Sequence, residues 1–407
     1  MNDAHNAAAA ADGRPAPHRE ICLAFLKLGI LSFGGPIAHL GYFHAEFVRR
    51  RRWLDDAAYA DLVALCQFLP GPASSQVAFA LGMRRGGLLG AIAASVCFLL
   101  PSAALMIALG CGMSVASGLR SAGWIHGLML AAVAVVAQAV SQMGAMLCAD
   151  ARRIALCLLS AAAALTLPTT SAQVIIIAGG ALAGWLLHRR EVHPPADDHA
   201  PRSGHGGAAA ALAAFVALLL AMPWIASLTG SRALVTFDAF YRAGALVFGG
   251  GHVVLPLLRA TVVAPGWISD DAFIAGYGAA QAVPGPLFSF AGYLGAVMDA
   301  GAWAWLQGAW CLLAIFLPGW LLVAGALPFW HRWRSRAWAQ ACLLGANAAV
   351  VGILLAALCS PLIAESVRTP LDAAVCLLAL GTLRIRRMPP ALVVLGCAGA
   401  GWLLHLS

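Results

Sequence analysis

The chain is 407 residues long, 61% hydrophobic and only 10% charged, with a formal net charge of +8. Soluble domains carry about 25% charged residues, and a mean hydropathy of +0.84 excludes that class in favour of a polytopic membrane protein. The positive balance does not point to nucleic acid, because the basic residues sit in short clusters between apolar segments, as cytoplasmic loops carry them.

Residues 1–19 are rich in Ala, Pro and polar side chains and lack the pattern of a signal peptide, so a disordered cytoplasmic tail is expected. A first apolar segment, 21–38, is broken at Gly34-Gly35-Pro36, and a second, 59–82, at Pro70-Gly71-Pro72. The stretches 87–112, 124–148, 208–226, 302–327 and 337–358 each reach the roughly 20 residues that cross a hydrocarbon core. The shorter segments 154–167, 173–188, 371–383 and 390–405 read as spans packed inside the bundle. Eleven cysteines are scattered singly, with no metal-binding spacing, and read as small buried apolar residues. Neither a metal nor another cofactor is expected.

The membrane-embedded pattern occurs twice. Phe25, Lys27, Gly29, Phe33, Gly34 and Gly35 return as Phe240, Arg242, Gly244, Phe248, Gly249 and Gly250 at an offset of 215. Trp53 returns as Trp267 and Gln67-Phe-Leu-Pro70-Gly71-Pro72 as Gln281-Ala-Val-Pro284-Gly285-Pro286, both at 214. Phe98-Leu-Leu-Pro101 returns as Ile315-Phe-Leu-Pro318 at 217. The division that follows is a tail (1–19), a first repeat (20–188), a polar cytoplasmic linker (189–207), an inverting transmembrane helix (208–230) and a second repeat (231–407). If the broken segments are hairpins that leave by the side they came from, all the arginine clusters of the first repeat face one side. The extra span then flips the second copy, whose loop around Arg259, Asp270 and Asp271 lacks the arginine run. The expected fold is all-α, an inverted-topology repeat with broken or re-entrant helices at the Gly-Gly and Pro-Gly-Pro motifs.

Irregular backbone at membrane depth is tolerated only where protein or a hydrated cavity covers it. The breaks should therefore converge, and in a transporter such breaks mark the substrate site. Half-helix N-termini carry unpaired N–H groups and about half a positive charge, which suits an anion.

The run Phe25-x-Lys27-x-Gly29-x-x-Ser32-Phe33-Gly34-Gly35-Pro36-x-Ala38-His39, with Glu46-Phe47-Val48, Trp53 and Gln67-x-x-Pro70-Gly71-Pro72, resembles the signature of the chromate ion transporter (CHR) family. The run from Phe240 to Gly251, with Gln281-x-x-Pro284-Gly285-Pro286, resembles that family's second domain. The resemblance covers almost the whole chain, as in a long two-domain member. It implies a multi-pass carrier in the cytoplasmic membrane that exports chromate and confers resistance, with sulfate as a chemically similar competitor. Gly251 and Val254 stand where the first copy has Pro36 and His39, so a role tied to either belongs to the first half only.

Among individual residues, Lys27 and Arg242 read as paired cations that attract a tetrahedral dianion, or as snorkelling side chains near the starts of their segments. Gln67 and Gln281 precede the Pro-Gly-Pro breaks, and Ser74, Ser75, Gln76 and Ser289 follow them. Their amides and hydroxyls can replace water around an oxyanion or hydrogen-bond between helices. His39 and His44 read as plain interfacial residues or as proton carriers. Glu46 is expected to pair with Arg49 or Arg50, with a proton relay as its other reading. Arg84, beside Arg85, serves orientation or gathers anions at a mouth.

No HExxH, Gly-x-Ser-x-Gly or Walker A pattern is present, so an enzyme or ATP-driven pump is not expected. Secondary transport of chromate is the leading reading. The alternatives are a carrier for sulfate or another tetrahedral oxyanion, and a non-transporting membrane scaffold. The expected partners are the oxyanion, the lipid bilayer, a coupling proton and further copies of the chain.

Overall fold

The computed structural model describes residues 18–33, 35–115, 123–167, 170–188, 206–247, 253–299, 301–330, 336–385 and 388–405. The expected tail up to residue 17, the linker over 189–205, and Gly34, Gly249 and Gly250 lie outside the described residues.

The first repeat opens with α1 (His18–Leu31) and α2 (Gly35–Phe43), which runs on as a π-helical stretch, His44–Arg50. The hairpin of α3 (Asp56–Phe68) and the first arm of α4 (Ala73–Val115) follows. Non-helical torsions at Gly86 and Gly87 divide α4 into two arms. Then come α5 (Gly123–Leu147), α6 (Ala151–Thr166) and α7 (Thr170–His188). The single helix α8 (Gly206–Thr229) leads to the second repeat. There α9 (Arg232–Ala245) and α10 (Val254–Val262) correspond to α1 and α2. The second hairpin is α11 (Asp270–Ala282) and α12 (Phe290–Met298), the latter entered by a 3-10 turn, Leu287–Ser289. It is followed by α13 (Ala304–Ala326), α14 (Ala337–Ala357, continued by π-helical Leu358–Ile363), α15 (Pro370–Arg384) and α16 (Pro390–His405). Among the described residues five helices are long and apolar enough to cross a membrane: the α4 region, α5, α8, the α13 region and the α14 region. They coincide with the five long segments expected from hydropathy.

Side-chain contacts set the directions of the helices. His126 and Asp372, 2.8 Å apart, join the N-terminal ends of α5 and α15, and Gln138 reaches the carbonyl of Leu383, so α5 and α15 run parallel. Arg152 donates to the carbonyl of Leu187, joining the start of α6 to the end of α7. Gly184 near the end of α7 meets Gly345 early in α14 so closely that a Cβ on Gly184 would lie 2.6 Å from the Gly345 nitrogen. Gly401 near the end of α16 meets Gly127 early in α5 in the same way, at 2.6 Å. Small residues allow backbones this close without a hydrophobic driving force between helices in lipid. Cys148, just beyond α5 and beside the start of α6, packs with Ala348 near the middle of α14, while the end of α7, bonded to the start of α6, lies against the start of α14. The equivalent helices α5 and α14 therefore run in opposite directions, and the chain is a two-repeat helical membrane protein with inverted halves. Each repeat's last two helices pack on the other repeat: α6 and α7 on α14, α15 and α16 on α5.

Two ends of the bundle follow. One carries Arg152, Arg336 and Arg384 at the termini of α6, α14 and α15; there α1 and α2 are tied by an ion pair from Arg51 to Glu20. The other end carries the Arg368–Asp271 pair and the Arg232 bond to the Met298 carbonyl.

The symmetry is not complete. In α11, Phe273 to Ala280 are all buried, and Gly278 lies against α5, where a Cβ would fall 2.2 Å from the Leu128 carbonyl oxygen. The equivalent face of α3, with Ala57, Ala60, Ala64 and Gln67, is exposed.

Candidate functional site

Both hairpin tips form for the same local reasons. Leu69 and Val283 cap α3 and α11 in extended conformation, as the residue before a proline prefers. Gly71 (φ +127°) and Gly285 (φ +105°) then take backbone conformations closed to side chains. Each tip is tied to the opposite repeat. Gly71 donates its N–H to the carbonyl of Val247 at 2.7 Å, and Gly285 donates to the carbonyl of Ser32 at 2.9 Å. A Cβ on Gly71 would meet Gly319 of α13 at 3.3 Å, and one on Gly285 would meet Ser102 of α4 at 2.8 Å. Ser102 and Gly319 are themselves equivalent residues, so the contacts cross over in pairs. The described parts of the breaks meet in a crossed pattern: the Pro-Gly-Pro of one repeat bonds the segment just before the Gly-Gly of the other.

Polar groups crowd these junctions. Ser32, His39, Ser74, Ser75, Gln76 and Ser289 are all buried. The His39 ring lies 3.1 Å from the Ser32 carbonyl oxygen, and Gln76 donates to the carbonyl of Pro70 at 2.8 Å. The Ser32 and Ser75 hydroxyls, His39 Nδ1, Gln76 Oε1 and Gln281 Nε2 find no partner among the described residues. An unmatched buried polar atom costs about 1–3 kcal/mol, so such a cluster marks a place built for water or a polar ligand.

A cavity of about 500 Å³ opens beside this junction. Its floor is the tip Ala280–Leu287, including Gln281 and Gly285, together with Gly35 at the start of α2. Its walls are Val135–Gln142 of α5 and the end of α15, and Met388 and Pro390 close its rim. Gln138, Ser141, Gln142 and Gln281 supply amides and a hydroxyl, and Arg384 supplies a guanidinium with no ion-pair partner among the described residues. No described lining residue is acidic. Two half-helices, one from each repeat, start at the floor, at Gly35 and Leu287. The arrangement suits an anion of small size, bound by dipoles and amides with one cation at the rim. Among the described residues no three His, Cys, Asp or Glu side chains gather as metal ligands.

Of the residues singled out from the sequence, Gly35, Gln281 and Gly285 line this cavity. Pro70, Gly71, Pro72, Ser74 and Ser75 form the opposite tip; Pro284, Pro286 and Ser289 complete the near one. Pro36 begins α2. Gln67 is exposed on α3, and Arg84 is exposed at the end of the first arm of α4. Lys27 and Arg242 do not line the cavity. Lys27 lies 3.9 Å from the buried carboxylate of Glu46, which also holds Arg50 (2.9 Å) and Arg51 (2.7 Å). Arg242 pairs with Asp238 at 2.8 Å and donates to the Leu219 carbonyl. The expected Glu46–Arg50 pair is present, with Arg51 added; Arg51 and Arg85 flank the Trp53 ring at 5.8 and 5.2 Å. Sequence reasoning passed over Gln138, Ser141, Gln142 and the binding capacity of Arg384. The signal available was three polar residues within five positions of an otherwise apolar span.

A sequence profile described as chromate transporter matches residues 19–185 and again 234–402. A chromate transport protein of Cupriavidus metallidurans is 29% identical over 397 residues, covering 94% of this chain and 92% of the relative. One of Pseudomonas aeruginosa is 28% identical over 408 residues, covering 96% and 93%. A probable chromate transport protein of Synechococcus elongatus is 29% identical over 342 residues, covering 77% of each chain. No solved structure matches. Both matched regions contain a Gly-Gly break and a Pro-Gly-Pro tip, and the chain belongs to the chromate transporter family, a family of membrane transporters and not of enzymes.

Proposed function

We propose that this chain is a secondary transporter that binds chromate in the cavity between α5, α15 and the second hairpin tip, and exports it across the cytoplasmic membrane. The observation that carries the reading is the cavity's chemistry. Among its described lining residues are three amides, a serine and an unpaired arginine, and no carboxylate. A tetrahedral dianion needs hydrogen-bond donors to replace its water, and needs them weak enough to let it go. The names of the relatives support chromate as the ion. The arginine-rich end is read as cytoplasmic because basic loops are retained on that side. The cavity lies in the half of the bundle nearest that end, so it accepts the anion from inside the cell. Without a nucleotide-binding motif, the driving force is an ion gradient, and a proton is the coupling ion we expect.

Radiolabelled chromate flux in proteoliposomes, with an imposed pH gradient and sulfate as competitor, tests this. Chromate movement that the gradient accelerates, and that sulfate inhibits only in excess, is the expected result. Sulfate movement with no chromate movement would make the protein a carrier for a different oxyanion, and no movement of either would leave it a scaffold.

A further inference from the structure

The symmetry that relates the two repeats also relates two cavities, and it relates them unequally. The equivalents of the walls just described are the C-terminal part of α14, the end of α6 and the start of α7. They frame a second cavity of about 220 Å³ toward the opposite end of the bundle. Gln173 there stands where Pro390 stands in the first, at the offset of 217 that also relates Pro101 and Pro318. The floors differ. The larger cavity rests on a hairpin tip, whereas the smaller is filled by Pro256, Arg259 and Ala260 of α10. The helix equivalent to α10 is α2, and of its described side chains and backbone only the first residue, Gly35, reaches the larger cavity. So α10 occupies space that its counterpart leaves open.

The hairpins show the same inequality. The second hairpin is docked on α5 through Gly278, while the matching residue of the first, Ala64, is exposed, as is Gln67, the counterpart of Gln281. The groups gathered at this cavity are those an oxyanion would use. Gln173 is buried, its Nε2 donates to the Pro256 carbonyl at 3.3 Å, and its Oε1 finds no partner among the described residues. Arg259 is held by both oxygens of Asp270, at 2.7 Å each, which fastens α10 to the second hairpin.

We propose that the smaller cavity, around Gln173, Arg259 and Ser360, is a second vestibule for the transported oxyanion, held shut by α10. It opens when the first hairpin docks on α14 as the second now docks on α5. This rests on the transport reading and specifies where the anion leaves the protein. In the exchanged state Ala64 takes on α14 the place that Gly278 has on α5, and Gln67 takes the floor position of Gln281. Withdrawal of α10 frees the Gln173 amide, and undocking of the second hairpin releases Arg259. The anion then meets an amide and a hydroxyl at this mouth, with the guanidinium of Arg259 on the withdrawn α10 beside it. Asp270 stays nearby and weakens the hold on a dianion, which suits release.

Hydrogen exchange on the full chain in lipid nanodiscs, without chromate, tests the exchange of hairpins directly. Gly278→Leu forces a side chain against the Leu128 carbonyl and disfavours the present docking. Segments 254–263 and 353–363 should then exchange faster and segment 135–142 slower, each on the order of tenfold. Ala64→Trp, which blocks the alternative docking, should keep the wild-type exchange pattern and lose flux. Faster exchange in all three segments of Gly278→Leu, or no change at 254–263, would overturn the proposal. Should Gly278→Leu not accumulate, Asp270→Asn, which unfastens α10, is read by the same criteria. Adding chromate to the wild type separates the two ideas: absence of protection at 135–142 counts against the transport reading alone, whatever the variants do.

Discussion

The backbone N–H of Gly71 donates to the carbonyl of Val247 at 2.7 Å, across the boundary between the repeats, and the bond from Gly285 to Ser32 is its symmetry mate. These bonds answer the main physical objection to broken helices at membrane depth, where an unpaired backbone group costs several kcal/mol. Each break satisfies part of its counterpart in the other half. Substituting alanine at Gly71 or Gly285 forces a side chain into a strained backbone region against Gly319 or Ser102. Each change should cost about 1–3 kcal/mol of stability and reduce chromate flux, as read by thermal unfolding in detergent beside transport assays. Full stability in both variants would mean that the tips adapt freely.

Attraction of the anion is assigned to Arg384. Arg384→Gln should raise the apparent KM for chromate several-fold, up to roughly tenfold, and flatten its dependence on ionic strength. Lys27→Gln should leave KM within about twofold, because that ammonium faces Glu46 outside the cavity. Initial rates across a salt series decide the point; equal effects of the two changes would move the attraction away from the mouth.

Glu46 is the hub of the arginine-rich end. Glu46→Gln leaves Lys27, Arg50 and Arg51 facing one another around a buried site. Loss of about 2 kcal/mol or more is expected, somewhat below a fully buried pair because Arg50 is exposed. Thermal unfolding measures it, and Lys27→Gln should cost clearly less.

Arg52 is the only described residue other than glycine with positive φ, at +53°, and its equivalent in the second repeat is Gly266, at +78°. Arg52→Gly should therefore stabilise the protein by up to about 1 kcal/mol by relieving that conformation. A lower unfolding temperature would show that the Arg52 side chain makes a compensating contribution.

Much of this architecture was legible from local pattern. The five long apolar segments, the breaks at Pro70-Gly71-Pro72 and Pro284-Gly285-Pro286, and the inversion could be read because hydropathy, Gly-Pro chemistry and loop charge are written along the chain. The crossing of the tips could not be read, since nothing near Gly71 names Val247 as its acceptor. Equivalent positions misled in one respect. Lys27 and Arg242 match in register, yet each has found a carboxylate that the repeat does not duplicate: Glu46 is replaced by Thr261, and Asp238 by Leu23. Gln138, Ser141 and Gln142 escaped notice because an isolated polar residue in a span looks the same whether it faces a helix or a cavity. Arg384 served in the sequence reading only as a marker of orientation, and its second use depends on where α15 ends.

The central claim is that the oxyanion sits in the cavity floored by Gln281. Its most direct test is equilibrium binding of radiolabelled chromate to the purified protein, comparing wild type with Gln281→Leu and with the paired change Gln138→Leu and Gln142→Leu. Removing hydrogen-bond donors from a bound anion costs about 1.5–3 kcal/mol, so chromate affinity should fall at least about tenfold in each variant. Both variants should remain folded in the membrane. Unchanged affinity in folded Gln281→Leu and in the paired variant would contradict the account and place the anion elsewhere.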